Sequence, residues 1–111
     1  MSYTVNITDA AGNDLRAIFS YIAFELKSYR NAARQLERLE AAICSLSEMP
    51  ESCRRYEKEP WHSRGLRRMS VDNYCVFYIP DPARQIVEII RVMYGGRDID
   101  RHLEEFPNET E

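Results

Sequence analysis

The feature that most restricts the fold of this chain is a change in the spacing of its apolar residues near Pro60. Before Pro60, apolar residues recur every three or four positions, which places them on one face of an α-helix. The first stripe comprises Leu15, Ile18, Phe19, Ile22 and Leu26, and the second comprises Ala32, Leu36, Leu39, Ile43 and Leu46. After Pro60, apolar and polar residues alternate, which is the period of a β-strand. The sequence therefore predicts two amphipathic helices followed by a group of strands.

Capping residues indicate where the predicted helices begin and end. Thr8 or Asp9 is expected to cap the first helix and Ser28 the second, because their side chains accept hydrogen bonds from first-turn N–H groups. The second helix is expected to end before Pro50, since the residue preceding a proline is disfavoured in the α region. Residues 3–7, YTVNI, alternate in polarity and predict a short strand before the helices.

Three further strands are predicted in the segments LRRMSV, NYCVFYIP and QIVEIIRVMY. The third is the most apolar and is expected to be central in the sheet. Asp72-Asn73 and DPAR supply the tight connections of an antiparallel meander. The predicted order is β-α-α-β-β-β, an α+β fold with a helical hairpin on one face of a mostly antiparallel sheet. Residues 1–111 are expected to form a single domain, of which 104–111 are an acidic tail.

Composition limits the class of protein. A chain of 111 residues with 44% hydrophobic residues can bury one core. No apolar run approaches the roughly 18–20 residues that span a bilayer, and the N-terminus does not resemble a signal peptide. The three cysteines form no CxxC pair and are expected to be reduced thiols. These features predict a cytoplasmic protein with no membrane partner.

The charge is unevenly distributed along the chain. The net charge is −3, but residues 104–111 hold four acids and no base. Residues 54–68 hold six bases and two acids, so the middle of the chain is basic. Either this segment is a solvated loop or it binds an anionic partner.

Familiar catalytic and metal-binding patterns are absent from the sequence. Gly95-Gly96 lacks the lysine and the following helix of a phosphate-binding loop. Neither His62 nor His102 has metal-ligand spacing to a cysteine or carboxylate, so no metal and no cofactor are expected. Cys75 lies within a predicted strand and is expected to be a small buried hydrophobic residue.

Arginine is the residue type that could carry function here. Five arginines flank the first and last strands of the meander and would converge on one rim if those strands are neighbours: Arg64, Arg67, Arg68, Arg91 and Arg97. The guanidinium group binds phosphate or carboxylate through two parallel hydrogen bonds. The alternative is structural ion pairing, with Arg91 satisfying a carboxylate at the edge of the core. Trp61 could likewise form an exposed stacking platform beside the rim or close the edge of the core.

Four segments, in this order and spacing, resemble the RelE/ParE toxins of bacterial type II toxin–antitoxin systems. They are DLRAIFSYI at 14–22, LSEMP at 46–50, NYCVFYI at 73–79 and RVMYGGRDI at 91–99. The resemblance covers residues 3–103 and agrees with the predicted element order. It implies a growth-inhibitory toxin associated with plasmid stabilisation. It also implies neutralisation by a cognate antitoxin, with which the chain could form a hetero-oligomer.

Two activities are known in that family, and the resemblance implies different site residues for each. Nuclease members cleave mRNA on translating ribosomes, and the corresponding candidates here are Arg67, Arg68, Tyr94 and His102. Members nearer ParE inhibit DNA gyrase. Ser70 stands near where nuclease members place an arginine, and no tyrosine follows Leu103. The resemblance therefore favours gyrase as the target, with mRNA cleavage or a non-toxic interaction domain as alternatives.

The end of the last strand also follows a family pattern, Arg-Val-X-His/Tyr-Gly-X-Arg-Asp. The matching residues are Arg91, Val92, Tyr94, Gly95, Arg97 and Asp98. Gly95 and Gly96 are expected to let the chain leave the sheet sharply, with φ above zero. The resemblance implies that Arg97 and Asp98 then lie beside the rim. The candidates for target or partner binding are Trp61, Arg64, Arg91, Arg97 and Asp98.

Three aromatic residues lie off the apolar stripe of the first helix, namely Tyr21, Phe24 and Tyr29. They are candidates for exposed anchors in protein binding. Helix-in-groove contact or strand addition is the expected mode of antitoxin binding.

Overall fold

The computed structural model describes residues 2–95 and Leu103. Its four-stranded sheet has the order β1-β4-β3-β2. The strands are β1 (Thr4–Ile7), β2 (Arg67–Val71), β3 (Tyr74–Asp81) and β4 (Ile86–Tyr94). The helices are α1 (Asp9–Ser20), α2 (Tyr29–Ser45) and α3 (Trp61–Arg64). The predicted α+β fold is confirmed, and the one-turn helix α3 is an addition to it.

The sheet is mixed because its two ends pair differently. β1 runs parallel to β4, whereas β2, β3 and β4 form the predicted antiparallel meander. The most apolar strand, β4, is internal as predicted. Asp72 adopts a positive φ of 56° in the two-residue connection between β2 and β3, as hairpin turns of this length require. No helix among the described residues is long and apolar enough to cross a membrane.

Both predicted helix caps are confirmed. The Ala11 N–H donates to Thr8 Oγ1 at 3.2 Å, and the Asn31 N–H donates to Ser28 Oγ at 3.3 Å. The Thr8 hydroxyl also donates to the Ile89 carbonyl at 2.7 Å, so the start of α1 is fixed to the central strand.

Helix α1 continues into a π-helical turn at Tyr21–Glu25. The Leu26 N–H donates to the Tyr21 carbonyl at 3.1 Å, which is the i→i+5 bond of a π-turn. The extra residue in this turn rotates the following side chains relative to the α-helical stripe. Leu26 is therefore 57% exposed, and its predicted place on the buried face is wrong.

Two apolar clusters cover the two faces of the sheet. Helices α1 and α2 pack on one face, against residues that include Val76, Val87 and Val92. The other face is covered by Trp61, Leu66 and Leu103, which pack on Cys75, Phe77, Ile90 and Met93. Cys75 is 3% exposed, so its prediction as a buried hydrophobic residue is confirmed.

Candidate functional site

Arg67 and Arg68 do not converge on one rim. Successive strand residues point to opposite faces of a sheet, and Arg67 shares its face with Met69 and Val71, which pack against the helix-side cluster. Its guanidinium donates to the Cys53 carbonyl at 2.5 Å, with the side chain only 15% exposed. Arg68 is exposed on the opposite side of β2. The two side chains therefore lie on opposite faces of β2, and their predicted catalytic role stays a prediction.

Arg91 forms a bidentate ion pair with Asp14 of α1. Its Nε and Nη2 donate to the two carboxylate oxygens at 2.6 and 2.9 Å, and the two side chains are 17% and 16% exposed. The Val92 N–H adds a third bond to the same carboxylate at 2.9 Å. Arg91 thus satisfies a carboxylate at the edge of the core, and it is not available as the target-binding residue that its position suggested.

The position of Asp14 follows from the unequal lengths of β1 and β4. The pairing of these strands ends at Ile7 and Ile89, because the chain then turns into α1. Within residues 2–95, the part of β4 beyond Ile89 has no strand neighbour on that side. The Asp14 carboxylate takes the Val92 N–H that would otherwise be an unpaired edge donor.

Trp61 is not an exposed stacking platform. It begins α3, is 8% exposed and belongs to the cluster on the sheet face opposite the helical hairpin. The Arg64 guanidinium carbon lies 5.1 Å from the centre of the Trp61 ring, within the range of a cation–π contact. The ring therefore closes the edge of the core, and a base could not stack on it.

A polar cavity of about 270 Å³ lies at one end of the sheet. The β2–β3 turn and the end of β4 meet there, since Tyr74 pairs with Tyr94 and the Gly95 N–H donates to the Asn73 carbonyl at 2.8 Å. The lining residues are Arg68, Ser70, Asp72, Asn73, Tyr74, Cys75, Tyr94 and Gly95. Of the predicted nuclease residues that the structure describes, Arg68 and Tyr94 line this cavity and Arg67 does not. Arg68 is the single basic residue among the described residues that line it.

The two tyrosines of the end cavity contact each other edge to face, with 5.8 Å between ring centroids. Burial, followed by the neighbouring phenols of Tyr94 and Tyr21, raises the pKa of Tyr74. Tyr74 is therefore protonated at neutral pH and can donate a hydrogen bond but cannot act as a base. The cavity offers one guanidinium and several hydroxyl or amide groups that could bind an anionic group, beside the Asp72 carboxylate, which is paired with Arg38.

Gly95 does not have the positive φ that the sequence predicted for it. Among the described glycines, the one with φ in the left-handed region is Gly65. Close packing accounts for the glycine instead, because a Cβ at Gly95 would lie 3.3 Å from the Asn73 carbonyl oxygen and 3.5 Å from Cys75 Sγ. Gly96, Arg97, Asp98 and His102 lie outside the described residues, so their predicted roles stay predictions.

A larger groove of about 630 Å³ lies beside α1, between the end of β1 and α2. Its apolar lining includes Ile7, Leu15, Phe19 and Leu36, and its charged lining is Asp9, Arg16 and Glu40. Sequence reasoning missed this groove. The sequence feature that could have revealed the groove is the apolar stripe of α1, which has more apolar residues than pack against the sheet. Among residues 2–95 and Leu103, no cluster of three His, Cys, Asp or Glu side chains could hold a metal ion.

The sequence matches the family described as the ParE toxin of the type II toxin–antitoxin system parDE over residues 5–99. The chain therefore belongs to the ParE toxin family, as the sequence resemblance predicted.

Solved toxin structures share the fold. The chromosomal ParDE system of P. aeruginosa aligns with a TM-score of 0.69 and 16% identity, covering 84% of this chain and 96% of that one. The RelBE2 toxin–antitoxin complex of Mycobacterium tuberculosis aligns at 0.61 and 24% identity, covering 85% and 99%. An E. coli RelE arginine mutant in the free state aligns at 0.62 and 15%, covering 92% and 93%. No curated protein matches the sequence.

Proposed function

We propose that this ParE-family toxin inhibits growth by binding a protein target, with DNA gyrase as the leading candidate, and that it does not cleave RNA. The observation that carries this proposal is the set of groups that the candidate arginines contact. Arg67 holds the carbonyl of Cys53 and Arg91 holds Asp14, and of the described arginines Arg68 alone lines the end cavity. We place this activity in the cytoplasm, where gyrase acts.

Cleavage of a phosphodiester requires stabilisation of the charge that develops on the phosphoryl oxygens, usually by several cationic groups. In the part of the chain that the structure describes, the cavity lining holds one guanidinium, which is a weak arrangement for that task. Recruiting Arg91 would require breaking two charge-assisted hydrogen bonds to Asp14. The end cavity is thus better suited to binding than to phosphoryl chemistry.

Ribosome-dependent mRNA cleavage is the second candidate, and one observation favours it. Arg68 and Tyr94 line the same cavity, so a guanidinium could hold a phosphate beside a phenol that donates a proton. A non-toxic interaction domain is the third alternative. It is distinguished from the others by the absence of growth arrest when the chain is induced alone.

A cognate antitoxin is the expected partner, because the ParDE and RelBE relatives of known structure belong to toxin–antitoxin systems. We propose that the antitoxin places an amphipathic helix in the groove lined by Leu15, Phe19 and Leu36. Such a module would give the plasmid stabilisation typical of these systems.

The test compares two purified assays with the same protein: supercoiling by DNA gyrase, and mRNA cleavage on translating ribosomes. The proposal predicts inhibition of supercoiling and intact mRNA. Arg68→Ala is the discriminating variant, with Arg84→Ala, at the opposite end of β3, as its matched control. Cleavage by the wild type that is lost in Arg68→Ala and kept in Arg84→Ala would overturn the gyrase proposal and establish the nuclease.

A further inference from the structure

We propose that the end of the helical hairpin is the surface that binds the toxin's protein target, and that it recognises an acidic surface with an apolar pocket. This inference rests on the proposed function, because it assigns a surface to the target named there. The hairpin-end surface comprises Tyr21, Phe24, Leu26 and Tyr29, with Lys27, Arg30 and Arg34 beside them.

The apolar part of this surface is unusually exposed. Tyr21 is 55%, Phe24 72%, Leu26 57% and Tyr29 68% exposed, and all four lie within nine consecutive residues. Contiguous exposure of large apolar side chains marks interaction sites on soluble proteins. Aromatic side chains also dominate the residues that contribute most to binding energy at protein interfaces.

The π-turn is the cause of the exposure of Leu26, whereas Tyr21, Phe24 and Tyr29 already lie off the apolar stripe in the sequence. A regular continuation of α1 would have kept Leu26 on the buried stripe with Leu15 and Ile22. The i→i+5 bond from Leu26 to Tyr21 turns Leu26 outward, while Ile22 and Ala23 stay buried. π-Turns are rare and are found frequently at functional sites. The chain thus uses an uncommon local geometry to add Leu26 to the exposed aromatic residues of this surface.

The positive charge beside these apolar residues indicates the kind of partner that the surface binds. Arg30, Arg34 and Arg38 are exposed at four-residue spacing, so they form one line along α2. Arg38 is neutralised by Asp72 at 2.6 Å. Arg30 and Arg34 form no ion pair with the described residues, and Lys27 adds a third cation against the single acid Glu25. The complementary surface is therefore acidic and presents an apolar pocket.

The same charges disfavour the other occupants. Two copies of this chain meeting through one two-fold interface would bring the same cations together. Sequence-independent DNA binding draws its affinity from Lys and Arg side chains that neutralise phosphates, and three cations neutralise few of them. The antitoxin groove beside α1 has two acids and one base in its lining, a different charge pattern. An acidic protein surface is the occupant that satisfies both the apolar and the cationic residues.

The experiment uses the full-length toxin and purified DNA gyrase holoenzyme, with affinity and inhibition of supercoiling as readouts. Phe24→Asp and the charge reversal Arg34→Glu are the test variants. Met49→Asp is the matched apolar control, since Met49 is 62% exposed and follows the far end of α2, about 25 Å along the helix. Arg84→Glu is the charge control, because Arg84 lies at the opposite end of β3 and β4.

Both test variants are expected to weaken gyrase binding by about tenfold or more, as substitution of a residue central to an interface does. Both controls are expected to bind as the wild type does. Unchanged melting temperatures and unchanged binding of the antitoxin would show that the variants fold. Binding by the wild type should also weaken as salt increases, because the charges steer association.

The possible failures are distinct. Failure of the wild type to bind gyrase would overturn the proposed function and this surface with it. Gyrase binding that survives both test variants would overturn the hairpin-end surface alone. That surface would also be overturned if the variants lost only antitoxin binding, if they abolished binding to a DNA duplex without gyrase, or if they dissociated a dimer of the toxin.

Discussion

Replacement of Asp14 by alanine is expected to destabilise the fold without touching the end cavity. The Asp14 carboxylate accepts three hydrogen bonds, two from Arg91 and one from the Val92 N–H. The substitution removes the carboxylate beside a guanidinium that is 17% exposed and leaves a backbone donor unpaired. Breaking a buried pair costs about 3–5 kcal/mol, and an unsatisfied buried donor about 1–3 kcal/mol.

The costs of the broken ion pair and of the unpaired N–H group are smaller here, because both side chains retain contact with solvent and water can reach the freed N–H group. We expect a loss of about 2–4 kcal/mol in the free energy of unfolding, against a total of about 5–15 kcal/mol for a domain. For a domain of this size, that loss lowers the melting temperature by roughly 10–20 °C. Urea unfolding followed by circular dichroism measures the first quantity, and a thermal scan measures the second.

A double-mutant cycle tests whether the loss belongs to this pair. Asp14→Ala and Arg91→Ala together should cost less than the sum of the two single changes, because each removes the same contact. Arg38→Ala is the matched control, since its pair with Asp72 is solvent-exposed and should contribute far less. Near-wild-type stability of Asp14→Ala, with lost toxicity, would refute the structural role and return Arg91 to the functional site.

Three further outcomes are expected. Gly95→Val should lower stability by about 1–3 kcal/mol through overpacking, because the new Cβ would lie 3.3 Å from the Asn73 carbonyl oxygen; an unchanged urea midpoint would contradict this. Thr8→Val should cost about 1–2 kcal/mol, because it removes both the cap of α1 and the bond to β4, whereas Thr8→Ser should keep most of that stability. Hydrogen bonds from Arg38 hold the pKa of Asp72 below its usual range. This contact therefore stabilises the fold at pH values above the unfolded-state pKa of Asp72, and the stabilisation is lost as the pH falls through the folded-state pKa. Asp72→Asn should flatten that part of the plot of stability against pH, and an unchanged plot at acidic pH would contradict this expectation.

Periodicity was sufficient to predict the fold, because each helix and strand buries one face and its apolar residues repeat accordingly. The positions and contacts of the arginines could be predicted only in part. Strand alternation alone separates Arg67 from Arg68, whereas the partner of Arg91 lies 77 residues earlier on another element. The exposure of Leu26 could not be predicted, since a single i→i+5 hydrogen bond decides it and leaves no mark in the apolar spacing.

The parallel pairing of β1 with β4 has a consequence for the synthesis of the toxin. Asn6 pairs with Glu88 and Thr8 bonds to Ile89, so the first strand finds its neighbour only after more than 80 further residues have been translated. Both apolar clusters also lack their central strand until β4 emerges. Contacts of such long sequence separation make folding slow, because the loop must close before they form. A chain that lacks β4 therefore cannot form the four-stranded sheet, and the fold is complete only after this late strand has been made.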